Sequence, residues 1–196
     1  MQNLLKKVLE KYNIKYSEKE IADMCKFVEM MKKYNETTNI TAIIDDNDIV
    51  YKHLLDSILP IDMFDENQKI LDIGCGAGFP SVPIVIMNNN LNITAIDSVR
   101  KKTDFVESVK NALNLDNLSV KHTRIEEFAA KKGCRESFDI VLSRAVAPLN
   151  IIIEYSAPML INGGYIIAYK GSNYLDELKN AENALKVLDC ELIEED

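Results

Sequence analysis

A chain of 196 residues with 47% hydrophobic and 28% charged side chains has the make-up of one compact domain with a short extension. No apolar run reaches the roughly 18 residues of a membrane span, and Met1–Lys7 lacks the features of a signal peptide, so a cytoplasmic protein without a membrane role is expected. Cys25, Cys75, Cys134 and Cys190 lie far apart with no C-x-x-C pair and only two histidines beside them, which argues against a metal site and against a disulfide framework.

The first third reads as helical. Leu4, Leu5, Val8, Leu9 and Tyr12 recur at helical spacing behind Asn3, a candidate N-cap. Ser17-Glu18-Lys19-Glu20 is a capping-box pattern, and it opens a helix with Ile21, Met24, Cys25, Val28 and Met31 on one face. After the polar loop 35–39, a third helix is predicted from near Asp46 or Asp48 to about Ser57, stopped by Pro60. Residues 1–64 are therefore predicted to form a helical extension packed on a core domain, 65–196.

From Lys69 short β-rich runs alternate with helical segments. The strand candidates are Lys69–Ile73, Asn92–Ile96, Leu118–His122, Phe138–Ser143 and Tyr165–Tyr169. Helices are predicted over Pro80–Met87, Lys101–Leu113, Ile125–Lys131, Asn150–Leu160 and Tyr174–Leu188, and a short last strand over Cys190–Glu194. Such alternation implies an α/β fold: a mostly parallel twisted sheet of the Rossmann-like kind, with helices on both faces. Folds of this type usually close with an antiparallel hairpin, so the final strand of one is expected to be missing here.

The first strand runs into Gly74-Cys75-Gly76-Ala77-Gly78-Phe79, a G-x-G-x-G turn, with Pro80 and Pro83 suited to the first turn of the following helix. A strand end, a tight loop and a helix start form the usual ligand position of an open α/β sheet. A dinucleotide fingerprint would need glycine where Phe79 stands, which disfavours a diphosphate and a nicotinamide enzyme. S-adenosylmethionine fits better. Asp72, two residues before Gly74, can orient the cofactor's ammonium directly or through water. Asp97, followed by Ser98 at the end of the second strand, can accept from both ribose hydroxyls. Arg124-Ile125-Glu126-Glu127, at the corner after the third strand, flanks the adenine in this architecture; as carboxylates at a helix start, Glu126 and Glu127 have a structural reading too.

The net charge of −8 is uneven: nine basic and six acidic side chains lie over residues 97–135, while residues 171–196 carry much of the acidity. Basic clusters at Arg100-Lys101-Lys102, Lys121/Arg124 and Lys131-Lys132-Arg135 can form an RNA-facing surface, or simply solvated helix faces.

Taken together, Tyr34-Asn35-x3-Asn39-Ile40-Thr41-Ala42, His53-Leu54-Leu55-Asp56-Ser57, Asp72 to Pro83, Asp97-Ser98-x2-Lys101-Lys102-x2-Phe105, Arg124 to Glu127, Ser143-Arg144-Ala145-Val146-Ala147 and Lys170-Gly171 resemble a known family. It is that of the bacterial small-subunit (16S) ribosomal RNA guanine-N7 methyltransferases, the glucose-inhibited division protein B family. The resemblance spans nearly the whole chain. It implies methyl transfer from S-adenosylmethionine to N7 of one guanosine, with ribosomal RNA or the 30S particle as partner and a monomeric enzyme. By the same resemblance Gly74, Phe79, Ile125, Glu126 and Arg144 contact the cofactor. Asn39, His53, Arg124, Arg144 and Lys170 surround the guanine or its phosphates. The family usually has tryptophan at Tyr34 and glycine at Ser81.

The residues after the fourth strand agree with ring-nitrogen chemistry. Ser143-Arg144-Ala145 is neither the Asn/Asp-Pro-Pro-aromatic turn of exocyclic-amine methyltransferases nor a Pro-Cys pair for a pyrimidine carbon. N7 of guanine carries a lone pair and no proton, so alignment suffices and no general base is needed. A donor placed on N7 would block it, so Arg144 and Arg124 are assigned to orientation or phosphate contact. Arg144 has an alternative as a buried partner of Asp72 or Asp97, and His53 with Asp56 as a local helical pair. Lys170 can meet phosphate or snorkel. Tyr34, Phe79 and Tyr169 are stacking candidates that core packing would equally explain. The same fold acting on a small molecule or a protein, and a non-catalytic ribosome-assembly factor, are the competing readings.

Overall fold

Five strands pair in parallel in the computed structural model, which describes residues 1–193: β1 (Lys69–Ile73), β2 (Asn92–Asp97), β3 (Leu118–His122), β4 (Phe138–Arg144) and β5 (Leu160–Tyr169). Their order is β3-β2-β1-β4-β5. The chain thus builds outward from β1 on one side, then returns to place β4 on the other. The register aligns Ile73 with Ile96 and Ser143, and Arg144 with Tyr169. The loop after β1, the end of β2 and the end of β4 therefore share one sheet edge at the switch point, where ligands bind in open α/β folds.

Strand alternation divides the core. Ile70, Ile93, Ala95, Ile140 and Leu142 point into the large cluster, while Leu71, Ile73, Ile96 and Val141 point into a smaller one on the opposite face. The large cluster also holds the helices of the first third: α1 (Gln2–Lys11), α2 (Glu18–Asn35) and α3 (Asp46–Ile49), through Leu5, Leu9, Met24, Phe27, Met31 and Ile49. α5 (Ser81–Met87) and α6 (Arg100–Leu113) cover the same face. α7 (Ile125–Ala129) and α8 (Leu149–Ser156) cover the other, with α9 (Tyr174–Val187) packed on α8 through Ile153, Ala181 and Ala184.

Ser17 caps α2 with the full reciprocal box: its hydroxyl accepts from the Glu20 N–H, and the Glu20 carboxylate accepts from the Ser17 N–H. Elsewhere the expected boundaries shift. α1 starts two residues early, with Met1 as its cap, so Asn3 sits inside the first turn and caps nothing. The third helix is not one regular element. α3 passes into a π-helical turn, Val50–Leu55, then into α4 (Asp56–Ile58) and a 3-10 turn containing Pro60. α7 and α8 stop short of Lys131 and Leu160, and Pro158 lies in a 3-10 turn that ends the helical path before β5. β5 opens at Leu160, five residues before the predicted Tyr165, with positive φ at Gly163 and a register irregularity opposite Phe138 and Ile140. Residues 190–193 form no strand; Glu194, the last residue of that prediction, lies outside the described residues. No described helix is long and apolar enough to cross a membrane.

Candidate active site

A cleft of about 390 Å³ opens at the shared sheet edge. Gly74, Asp97, Ser98, Arg124, Ile125 and Glu126, all singled out in the sequence, line it; Val99, Ala145, Val146, Ala147 and Tyr155 are among the other lining residues and were not foreseen, and Arg144, expected at the cofactor, does not line it. The glycine loop is pinned below β2 by two backbone bonds, Gly74 N–H and Cys75 N–H to the Ile96 carbonyl, at 2.8 and 3.0 Å. Asp97 is oriented by two more. Its Oδ2 accepts from Gly76 N–H at 3.0 Å and its Oδ1 from Val99 N–H at 2.8 Å. Each oxygen keeps a lone pair for a ligand hydroxyl in the cleft.

Gly74 has φ +74°, and a Cβ there would lie 2.5 Å from Val146 Cγ2, so a side chain would be strained and would collide with the cleft wall. Glu126 accepts from the Tyr155 hydroxyl at 3.0 Å. Its own backbone N–H and that hydroxyl hold its carboxyl below the usual range.

Several predicted contacts lie elsewhere. Gly76, Ala77, Gly78 and Phe79 form the floor of the loop and do not line the cleft. Phe79 is buried against Phe27 and His53, so its ring serves packing and is no surface for a stacked base. Asp72 is fully buried on the face shared with Ile70, beneath the loop. One of its oxygens accepts from the Ser81 hydroxyl; the other has no partner. Burial pushes its carboxyl up to about 7. It is sealed from solvent, so in this conformation a direct contact with a cofactor ammonium does not form. The serine that departs from the usual glycine thus has a defined bond to make.

A second cavity, of about 280 Å³, adjoins the first and shares Ala145 with it. His53, Arg144 and Lys170 line it, as do Lys52, Asp56 and Tyr169. Arg144 pairs with neither Asp72 nor Asp97. Its Nη1 donates to Asp56 Oδ2 and to the Lys52 carbonyl, both at 3.0 Å, and its Nη2 donates to His53 Nδ1 at 2.9 Å. The guanidinium also lies 5.3 Å from the Phe79 ring centre.

These bonds assign the His53 tautomer. Nδ1 accepts from arginine, so the proton sits on Nε2, which faces Thr41 Oγ1 at 3.3 Å. Burial and the adjacent Arg144 charge push the imidazole down to about 4. Lys170 is committed as well. It donates to the Ala147 carbonyl and pairs with Glu177, both near 2.8 Å, tying the β4–α8 loop to α9. It neither snorkels nor stands free for phosphate.

Asn39 is exposed and lines neither cavity. Its neighbour Asn35 does the structural work of that motif, accepting from the Ile40 and Thr41 N–H groups and donating to the Thr41 carbonyl. Tyr34 packs on Phe105 and donates to the Lys101 carbonyl. Tyr169 donates to the Ser57 carbonyl at the wall of the second cavity. Arg124 caps the start of α7 at the cleft rim, exposed. Among the described residues no group of three or more His, Cys, Asp or Glu side chains is placed to hold a metal.

Residues 20–194 match the family model described as GidB, rRNA small subunit methyltransferase G. The chain belongs to this family. GidB-family relatives named "Ribosomal RNA small subunit methyltransferase G" include one from Fusobacterium nucleatum, 41% identical over all of this chain and 83% of its own length. Another, from Lactobacillus johnsonii, is 39% identical over 93% of this chain and 78% of its own. Solved structures agree on the fold. TYW2 of P. horikoshii, in complex with MeSAdo, superposes with a TM-score of 0.59 at 14% identity, over 70% of this chain and 51% of that one. Coclaurine N-methyltransferase, bound to N-methylheliamine and SAH, gives 0.53 at 17% identity, over 85% and 55%. The GidB-family chain is therefore a methyltransferase with a Rossmann-like α/β core.

Proposed function

We propose that this chain transfers the methyl group of S-adenosylmethionine to N7 of one guanosine in small-subunit ribosomal RNA, as a cytoplasmic monomer with no resident metal. The observation that carries the reading is the match of residues 20–194 to the GidB family. The residues present fit the cofactor: Gly74 presents bare backbone to the cleft where a Cβ would collide with Val146, Asp97 offers lone pairs to a ribose, and the unpartnered Asp72 oxygen lies behind the loop and is negative once its carboxyl ionises. Gly74, Asp97, Ser98, Ile125 and Glu126 would hold it in the larger cleft. When bound, it supplies an electrophilic sulfonium methyl.

The second cavity is the place for the guanine, because it meets the cleft at Ala145. Its side chains suit an acceptor with no proton to lose. His53 is neutral with both ring nitrogens engaged, and Lys170 is paired with Glu177. Neither is poised as a base. What remains is alignment, which for an in-plane lone pair supplies most of the needed acceleration.

The test is transfer of labelled methyl to deproteinised ribosomal RNA and to 30S particles, followed by mapping of the modified position. Label at guanine N7 of the small-subunit RNA in either substrate is the expected result. Label confined to small molecules or protein, or no transfer at all, overturns the assignment.

A further inference from the structure

Asp56 lies outside the roles described so far, yet it is the one carboxylate within ion-pair distance of Arg144 among the described residues. The two are 88 positions apart in sequence and meet at the wall of the second cavity. Arg144 leaves the end of β4 just before Ala145, whose φ is +54°, and its guanidinium lies over the Phe79 ring. His53 stacks on the same ring, 4.3 Å centre to centre and 17° from parallel. The π-helical turn delivers both the Lys52 carbonyl and His53 Nδ1 to this guanidinium, and Asp56 follows directly after the turn.

The donors can be followed individually. Nη1 spends both hydrogens, on Asp56 and on the Lys52 carbonyl, and Nη2 spends one on His53. Only the Nε–H and one Nη2–H stay free. A guanidinium left to turn would seek the O6/N7 edge of a guanine in the cavity, which is the edge arginine reads in nucleic acids. A hydrogen on N7 occupies the lone pair that must attack. The Lys52 and His53 acceptors are neutral; Asp56 supplies the charge-assisted bond that fixes the fork. The other charges facing the cluster are the Lys52–Asp48 pair, the Lys170–Glu177 pair and buried Asp72; Asp48 and Asp72 act on it through space, and none of these carboxylates makes an ion pair with Arg144.

We infer that Asp56 is a positioning residue: by holding Nη1 of Arg144 it keeps that arginine's donors off the attacking nitrogen. The inference rests on the guanine-N7 reading.

Its test is steady-state kinetics of the purified chain on the RNA substrate at saturating cofactor. Asp56→Ala and the nearly isosteric Asp56→Asn are expected to lose about tenfold or more in kcat with KM for RNA unchanged or lowered, kcat being counted per folded, cofactor-binding chain because a smaller folded fraction alone would also lower the apparent kcat. Asp56→Glu is expected to recover part of kcat. In an Arg144→Ala background, Asp56→Ala is expected to add nothing, since the two act through one bond. The inference is overturned if Asp56→Asn keeps kcat within about twofold, if KM rises while kcat holds, or if the double variant is slowed additively. An unmutated chain that leaves N7 unmethylated overturns the guanine-N7 reading and this inference with it. An active parent with an equally active Asp56→Asn variant overturns this inference alone.

Discussion

At the scale of single residues, Asp72 and His53 link pH to stability with opposite signs. Asp72 has a folded-state pKa near 7 against an ordinary value of 3.8, so the folded chain binds the extra proton and Asp72 costs stability increasingly as pH rises from about 4 to 7. Replacing it removes that cost. Asp72→Asn is expected to be more stable than the parent at pH 8 by on the order of 2–4 kcal/mol, with the gap closing toward pH 4, as read by denaturant unfolding at each pH. The same variant should lose the pH dependence of cofactor affinity. The proposed role of the Asp72 charge behind the loop predicts that affinity in the parent falls as pH drops below about 7, where the carboxyl takes up its proton. His53 works the other way. Its folded pKa near 4 lies below the ordinary 6.5, so its stabilising neutral form is fully present above 6.5 and lost as pH falls toward 4. His53→Gln should therefore flatten acid unfolding across that window, measured by the same titration. The place of Asp97 in the cleft was legible in the sequence because it ends the second strand, beside the glycine loop in this architecture; the burial of Asp72 beneath that loop was not, because strand spacing alone does not say which face its side chain takes. The partner of Arg144 was not, because the residues that fix it lie 88 and 91 positions earlier and only the folded sheet edge brings them together.

At the scale of elements, periodicity identified the strands and most helix positions, and departures occur where backbone chemistry overrides it. β1 and β3 fall where apolar runs bounded by polar residues predict them. The third helix looked regular because its apolar residues do recur at helical intervals; nothing local marks the extra residue that makes Val50–Leu55 a π turn. Leu160 looked like the end of a helix, whereas the 3-10 turn around Pro158 hands it to β5. The glycine loop makes the sharpest element-level prediction. Gly74→Ala places a left-handed φ on a residue that resists it, costing roughly 1–2 kcal/mol, and drives its Cβ into Val146. The variant should still fold, with a modestly lower melting temperature, and should bind S-adenosylmethionine at least about tenfold more weakly by calorimetry. Gly74→Asp, which adds a carboxylate to the same collision, should abolish binding.

For the molecule as a whole, the first-third helices and the sheet share one hydrophobic core. Leu5, Met24, Phe27, Met31 and Ile49 lie in the same buried cluster as Ile70, Ile93 and Leu142. Removing residues 1–64 would strip that face of the sheet and expose its apolar side chains to water. The shortened chain is expected to lose cooperative thermal unfolding and to aggregate, which scanning calorimetry and light scattering would register. The extension also brings His53 and Asp56 to the sheet edge, so it supplies part of the second cavity as well as part of the core.

The wall between the two cavities has a consequence for how the ligands must behave. Ala145 borders both compartments, and the strap that follows it is tethered to α9 through Lys170 and Glu177. An occupant on either side leans on one shared partition. Should that partition yield, thermodynamic reciprocity requires whatever the first arrival gains or loses for the second to be returned in equal measure.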